Sequence, residues 1–138
     1  MRIKSGIKLL AEIEGAGEPA RKGDSVVYNW RLYRNQGEEI TLNEQQAKDL
    51  PVEMIRVVDG YRFIDHRTIL GSRQTMAGVE YSLDGMKLGG YRKIRISPHL
   101  AYSDKGLGDL IPANAVLIVE LWLREVCSGL SRPLTGRK

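Results

Sequence analysis

The stretch "YRKIRISPHLAYSDKGLGDLIPANAVLIVELWLREV", residues 91–126, constrains the fold most. Its opening alternates: Tyr91, Lys93 and Arg95 fall on one side, Ile94 and Ile96 on the other. That period of two describes an antiparallel strand with one wet face, and Arg92, Lys93 and Arg95 read as part of that solvated face and its rim. Pro98 ends the strand, because proline donates no ladder hydrogen bond. A glycine-containing loop, 98–114, closes on Ile111-Pro112, and residues 115–126 are aliphatic enough to form a final, buried strand.

The rest of the chain supplies partners for those strands. Residues 7–14, "IKLLAEIE", fit a strand or a short helix equally well. "GAGEPARKGD" reads as a loop. "SVVYNWRLYR" is rich in β-branched and aromatic residues and predicts a strand. "NQGEE" is a turn, and "EITL" begins the returning strand. Asn43 offers a helix N-cap before "EQQAKDL", which stops at Pro51. "VEMIRVVDGYRFIDH" predicts a hairpin with Asp59-Gly60 at its tip. Met76, Val79 and Leu83 recur at helical spacing, with Tyr81 alongside, so one short amphipathic helix is expected there. Several strands, one short helix and no βαβ alternation make the fold class α+β with an antiparallel sheet.

Length and charge narrow the function. A chain of 138 residues is one domain's worth and can bury a core without disulfides or metal. No apolar run is long enough to span a membrane, and the N-terminus does not read as a signal peptide. A single cysteine, Cys127, fits a reducing compartment, so the cytoplasm is expected. The net charge of +4 invites a nucleic-acid partner. However, the last twelve residues carry Arg132, Arg137 and Lys138 and no acid. Without them, 18 of the 21 bases face all 17 acids, a net of +1. The basic excess belongs to a flexible tail, 127–138, so nucleic acid is not the expected partner. His66 and His99 lack metal-ligand spacing and read as surface or hydrogen-bonded histidines. No HExxH, GxSxG or paired Cys/His motif is present.

The segment "GMKLGGYRKIRISPHLAYSDKGLGDLIPANAVLIVELWL", 85–123, resembles the C-terminal half of an FKBP-type peptidyl-prolyl isomerase. "RKGDSVVYNW" and "ILGS" extend the resemblance more loosely over about residues 7–126, interrupted by an insertion at 42–69. The resemblance implies a curved antiparallel β-sheet wrapped around one short α-helix, with a shallow apolar pocket between them for a proline ring. It implies peptidyl-prolyl cis-trans isomerisation of proline-containing peptides or unfolded protein clients, with no cofactor and no metal. Tyr102 takes the place of the tyrosine whose hydroxyl meets a ligand carbonyl, and Ile111 that of an isoleucine offering its backbone N–H. Trp30, Ile40, Thr75, Met76, Val79, Leu110 and Val119 take the other pocket-lining places.

Several of those places differ in kind from the family pattern. Trp30 stands for a tyrosine, Ile40-Thr41 for Phe-Asp, Thr75-Met76 for Val-Ile, Val79 for an aromatic platform and Val119 for a phenylalanine. His66 or Phe63 stands where an aromatic precedes the Leu-Gly turn. Ser103 replaces a glycine and Ala113 a proline. The pocket acid is lost at Thr41 and the aromatic floor is thin, which implies weak catalysis and altered drug binding. An alternative on the same fold is a non-catalytic, chaperone-like peptide-binding module. For "VVDGYRF", within the insertion, the expectation is either a flap over the pocket or extra sheet.

Overall fold

The computed structural model describes residues 5–129. Eight strands run in chain order: β1 (Ile7–Ile13), β2 (Ser25–Arg34), β3 (Glu39–Ile40), β4 (Ile55–Val58), β5 (Tyr61–Ile64), β6 (His66–Ile69), β7 (Tyr91–Ile96) and β8 (Leu117–Cys127). Two helices, α1 (Leu42–Ala47) and α2 (Ala77–Leu83), lie among them. The main sheet has the order β1-β7-β8-β2-β3, and β6 pairs with the other half of the same edge of β2. Every pairing is antiparallel. The sheet curls strongly around α2, as expected of the FKBP fold.

Alternation along β2 and β8 decides which side chains face α2. Val26, Tyr28, Trp30 and Leu32 of β2 join Leu117, Val119, Leu121 and Leu123 of β8 in one core, closed by Val79 and Leu83 of α2. Residues 7–13 are a strand, paired with β7 from Ile7↔Ile96 to Ile13↔Tyr91. Asn43 is not the N-cap of α1. Thr41 holds that place without a side-chain cap bond, while Asn43 is buried and its Nδ2 donates to the Trp30 carbonyl at 2.6 Å. That carbonyl lies between the part of β2 covered by β6 and the part covered by β3, so the asparagine fills a gap in the ladder.

The insertion is extra sheet. Asp59 and Gly60 both have positive φ, 50° and 81°, as a two-residue hairpin turn requires. The strands β4 and β5 that they join pack on the outer face of the main sheet. Arg31 stacks 4.0 Å from the Tyr61 ring. Phe63 meets Trp122 edge to face at 5.0 Å, and Trp122 meets Tyr91 at 5.2 Å. Residues 66–69, read as part of the insertion, are β6 and belong to the main sheet.

Two expectations about charge and termini are corrected. Arg92 is not solvated: it is 4% exposed, on the same side of β7 as Ile94. Its Nε donates to Glu12 at 2.7 Å and its Nη1 to the Ser82 carbonyl at 2.7 Å. The helix end needs acceptors satisfied, and the guanidinium fork reaches both partners. Cys127 ends β8 opposite Ser25, and Gly129 N–H bonds Asp24, so the fold continues past the expected start of the tail. The remainder of that tail, 130–138, lies outside the described residues. Among the described residues, no helix is long and apolar enough to cross a membrane, and no cluster of ligating side chains suits a metal ion.

Candidate active site

A cavity of about 660 Å³ opens between the inner face of β2, the approach to α2 and the loop after β7. Alternation brings Tyr28 and Trp30 to one side of β2, both under 10% exposed. β6 then lays His66 against them, because Tyr28 and His66 are paired in the sheet register. The three rings form a wall: Tyr28 stacks on His66 at 5.3 Å, Trp30 meets His66 at 5.0 Å, and Tyr28 meets Trp30 at 6.1 Å nearly at right angles. Thr75 and Met76, just before α2, line the same space, and Ala101 and Tyr102 close it from the loop. The Tyr28 hydroxyl and Thr75 Oγ1 share a 2.6 Å hydrogen bond that ties β2 to the segment entering α2.

Four of the residues expected at the site therefore meet: Trp30, Thr75, Met76 and Tyr102. Five do not line this cavity. Val79 and Val119 have no exposed surface, and Ile111 and Ile40 are 1% and 5% exposed. All four belong to the core, and Leu110 packs against it, partly buried. The aliphatic side chains at these places are enclosed by neighbours, and the larger rings on β2 and β6 form the cavity wall instead. The Ile111 N–H is also committed, donating to the Leu107 carbonyl at 3.1 Å inside its own loop. A second cavity, of about 450 Å³, lies beyond Thr75 and is flanked by Lys22, Arg73 and Glu80. It holds none of the other expected site residues.

Tyr28 and Asp65 were missed in the sequence, and His66 was named there only beside Phe63 for the aromatic place before the Leu-Gly turn while its imidazole was read as surface or hydrogen-bonded. Tyr28 carried a signal, since it lies two residues before Trp30 on the same strand face. His66 is neither a surface residue nor hydrogen-bonded through Nε2, which is buried without a partner. Asp65 brings an acid to the cavity rim although Thr41 supplies none. Partial burial works to raise the Asp65 pKa, but hydrogen bonds from Arg56 and Asn29 outweigh it and hold the carboxyl below its usual range. Arg56 grips it with two bonds, 2.8 and 3.0 Å. The insertion thus contributes to the cavity lining through Leu42, Glu53, Met54 and Asp65, while β4 and β5 stay on the outer face.

Burial sets the protonation of the wall. It pushes the Tyr28 hydroxyl up to about 12. It also raises the Tyr102 hydroxyl, so both remain protonated near neutrality. Burial lowers His66 from 6.5 to about 4, against a weaker upward pull from Asp65. His66 is therefore neutral at pH 7. The unfolded chain binds a proton at His66 between pH 6.5 and 4 while the folded chain does not. The stability this represents is complete above pH 6.5 and is lost as pH falls towards 4, in total about 3 kcal/mol. His66→Phe should remove that part of the acid sensitivity. Urea unfolding at pH 7.5 and pH 4.5, wild type against variant, checks it, and parallel losses in the two proteins would refute the assignment.

Comparison with known proteins agrees with this geometry. Residues 16–124 match the family described as FKBP-type peptidyl-prolyl cis-trans isomerase. The chain is 29% identical to FK506-binding protein 1A of Neurospora crassa over 116 residues, covering 83% of each chain. It is 31% identical to the 39 kDa FK506-binding nuclear protein of Drosophila melanogaster over 90% of this chain, which spans 30% of that longer protein. A 57-residue stretch is 44% identical to FK506-binding protein 2 of Candida glabrata, covering 41% of this chain and 42% of that one. With the curled sheet, the enclosed helix and the matched residues together, the chain belongs to the FKBP-type peptidyl-prolyl cis-trans isomerases.

Proposed function

We propose that the cavity walled by Tyr28, Trp30 and His66 is where this isomerase turns X–Pro bonds in peptides and unfolded protein clients, and that Tyr102 is its catalytic hydroxyl. The observation that carries this reading is the Tyr102 side chain itself. It is half-buried at the cavity mouth, and its hydroxyl has no partner among the described residues. Rotation about X–Pro faces a barrier of about 18–20 kcal/mol, because the amide has partial double-bond character. The twisted amide loses that resonance, and its nitrogen and carbonyl are no longer conjugated. An apolar wall that receives the ring and sheds its water favours the twisted form over the planar one. A hydroxyl donating to a neighbouring carbonyl holds the chain in register while the bond turns. No proton transfer, nucleophile or cofactor enters the step.

Tyr102→Phe keeps the ring and removes only the donor. One neutral hydrogen bond is worth about 1 kcal/mol, so kcat/KM should fall roughly five- to tenfold. A protease-free isomerisation assay on X–Pro peptides measures this. A rate equal to wild type would remove Tyr102 from the catalytic role.

A second activity, holding unfolded clients, is supported by the exposed apolar side chains of the insertion, Val52 and Val57 at 77% and 63% exposure, with Met54 of the same segment lining the cavity. A cytoplasmic location is supported by the lone Cys127, which is exposed and free.

A further inference from the structure

Tyr28, Thr75 and Tyr102 bring hydroxyl groups to the same cavity. The Tyr28 hydroxyl and Thr75 Oγ1 are 2.6 Å apart. Burial chiefly raises the Tyr28 pKa, the Thr75 bond lowers it, and the Tyr102 hydroxyl is close enough to raise it further. Each hydroxyl carries one proton to donate. Among the described residues only one of the three protons is used, in the bond between Tyr28 and Thr75. A phenol is more acidic than an alcohol and is the stronger donor, so Tyr28 donates and the threonine proton is left over. That proton sits on the accessible member of the pair: Tyr28 is 3% exposed, whereas Thr75 is half-buried. Accepting one hydrogen bond also strengthens the one a hydroxyl donates.

The complement of two uncommitted neutral donors is a pair of neutral acceptors. A proline-containing segment supplies them, because proline lacks an N–H and the backbone around it has more carbonyls than donors. Thr75 also lines the second cavity, so it stands at the boundary of the site, where backbone rather than the proline ring passes. We propose that Thr75 is a second substrate-binding donor. Its hydroxyl, held and polarised by the Tyr28 phenol, donates to the peptide carbonyl on one side of the X–Pro bond, while Tyr102 holds the carbonyl on the other side. Two donors on different elements, the approach to α2 and the loop after β7, fix the flanking backbone while the bond between them turns. Tyr28 acts through Thr75 and is a positioning residue. The inference rests on the cavity being the site of isomerisation.

The test measures kcat/KM on a short X–Pro peptide and on two copies of it, each with one flanking carbonyl replaced by a thiocarbonyl, a poor acceptor. Thr75→Val should lower the rate on the unmodified peptide about five- to tenfold, the equivalent of one hydrogen bond, and Thr75→Ser should restore it. One thiocarbonyl should slow the wild type by as much and slow Thr75→Val no further. The other should stand in that relation to Tyr102→Phe. Tyr28→Phe should lower the rate roughly two- to threefold, and that effect should vanish in the Thr75→Val background. The double variant also guards the fold, since removing both partners of a hydrogen bond is nearly neutral, whereas Thr75→Val alone leaves the Tyr28 hydroxyl unpaired. A double variant as fast as the wild type, or Thr75→Val as sensitive as the wild type to both thiocarbonyls, overturns the inference. An inert Tyr102→Phe removes the tyrosine from its role, and the thiocarbonyl pairing with Thr75 is judged separately. If the wild type turns over no peptide, the site of isomerisation fails as read. Dissociation constants of the same peptides, from tryptophan fluorescence, then decide the donor, and an affinity unchanged in Thr75→Val overturns it.

Discussion

Gly106→Ala should lower stability by about 3 kcal/mol and take isomerase activity down with it. Gly106 has φ of 65°, which costs a residue with a Cβ about 1 kcal/mol. The larger effect is contact. A Cβ there would sit 2.3 Å from the Ile111 carbonyl oxygen and 2.9 Å from the Pro112 carbonyl carbon. The Ile111 carbonyl accepts the Leu107 N–H at 2.7 Å, the bond that closes the loop. Relief of the collision must break it and shift backbone, adding roughly 2 kcal/mol. The Gly106 N–H also donates to the Tyr102 carbonyl at 3.1 Å, so the disturbance passes directly to the proposed catalytic residue. Gly108 is the internal control, with φ of 50° but nothing within 4 Å of an added Cβ. Gly108→Ala should cost only about 1 kcal/mol. Urea midpoints of both variants, with X–Pro isomerisation rates, measure the contrast, and equal losses would show that backbone conformation rather than contact dominates.

Arg92→Met should cost a similar amount, about 3 kcal/mol, with no direct effect at the cavity. The substitution keeps a long apolar stem and removes the fork. It leaves the buried Ser82 carbonyl without its guanidinium donor, and that of Asp84, 3.3 Å from Nη1, loses the same partner. Hydrogen bonds from a charged donor are worth about 1.5–3 kcal/mol, and the last turn of α2 would fray without them. Arg92→Lys should not rescue, since one ammonium lacks the planar fork that serves two directions. Glu12→Gln should cost under about 1 kcal/mol, because the Glu12 side chain is partly solvated at 36% exposure. Chemical denaturation of the three variants gives the order, and a loss in Glu12→Gln matching that in Arg92→Met would assign the stability to the ion pair instead of the helix end.

The contrast between Arg92 and Tyr28 shows how far the cavity was legible in the chain. Both sit on strands whose alternation is plain. Alternation places Arg92 with Ile94, yet charge alone suggested water. The long stem runs inward and its head finds Glu12 and the end of α2, residues 80 and 10 positions away in sequence. Tyr28 and Trp30 share a face by the same rule, and a reading by family position selects one of them. His66 joins them only because β6 pairs with β2 after the long excursion of residues 42–65. Composition carries no trace of that meeting. Val79 and Val119 show the converse: they occupy pocket positions in the family pattern, but short aliphatic side chains at those places are covered by core neighbours.

Local rules were enough wherever the deciding interaction lies within a few residues. Period-two patterning set β7, β-branched and aromatic enrichment set β2, an aliphatic run set β8, helical spacing set α2, and Asp59-Gly60 set its hairpin because both residues tolerate positive φ. The ordered motif from Gly85 to Leu123 determined the family, since its glycines, prolines and tyrosine fall at matching intervals. Tertiary structure decided everything that depends on which surfaces meet. It put the insertion hairpin on the outer face, where Arg31, Trp122 and Tyr91 offered rings and charge for Tyr61 and Phe63 to cover. It brought Asp65 to the cavity rim and buried His66 beside Trp30. Burial and pairing are properties of contacts between distant segments, and a side chain's charge or polarity fixes its cost in such a place without fixing the place itself.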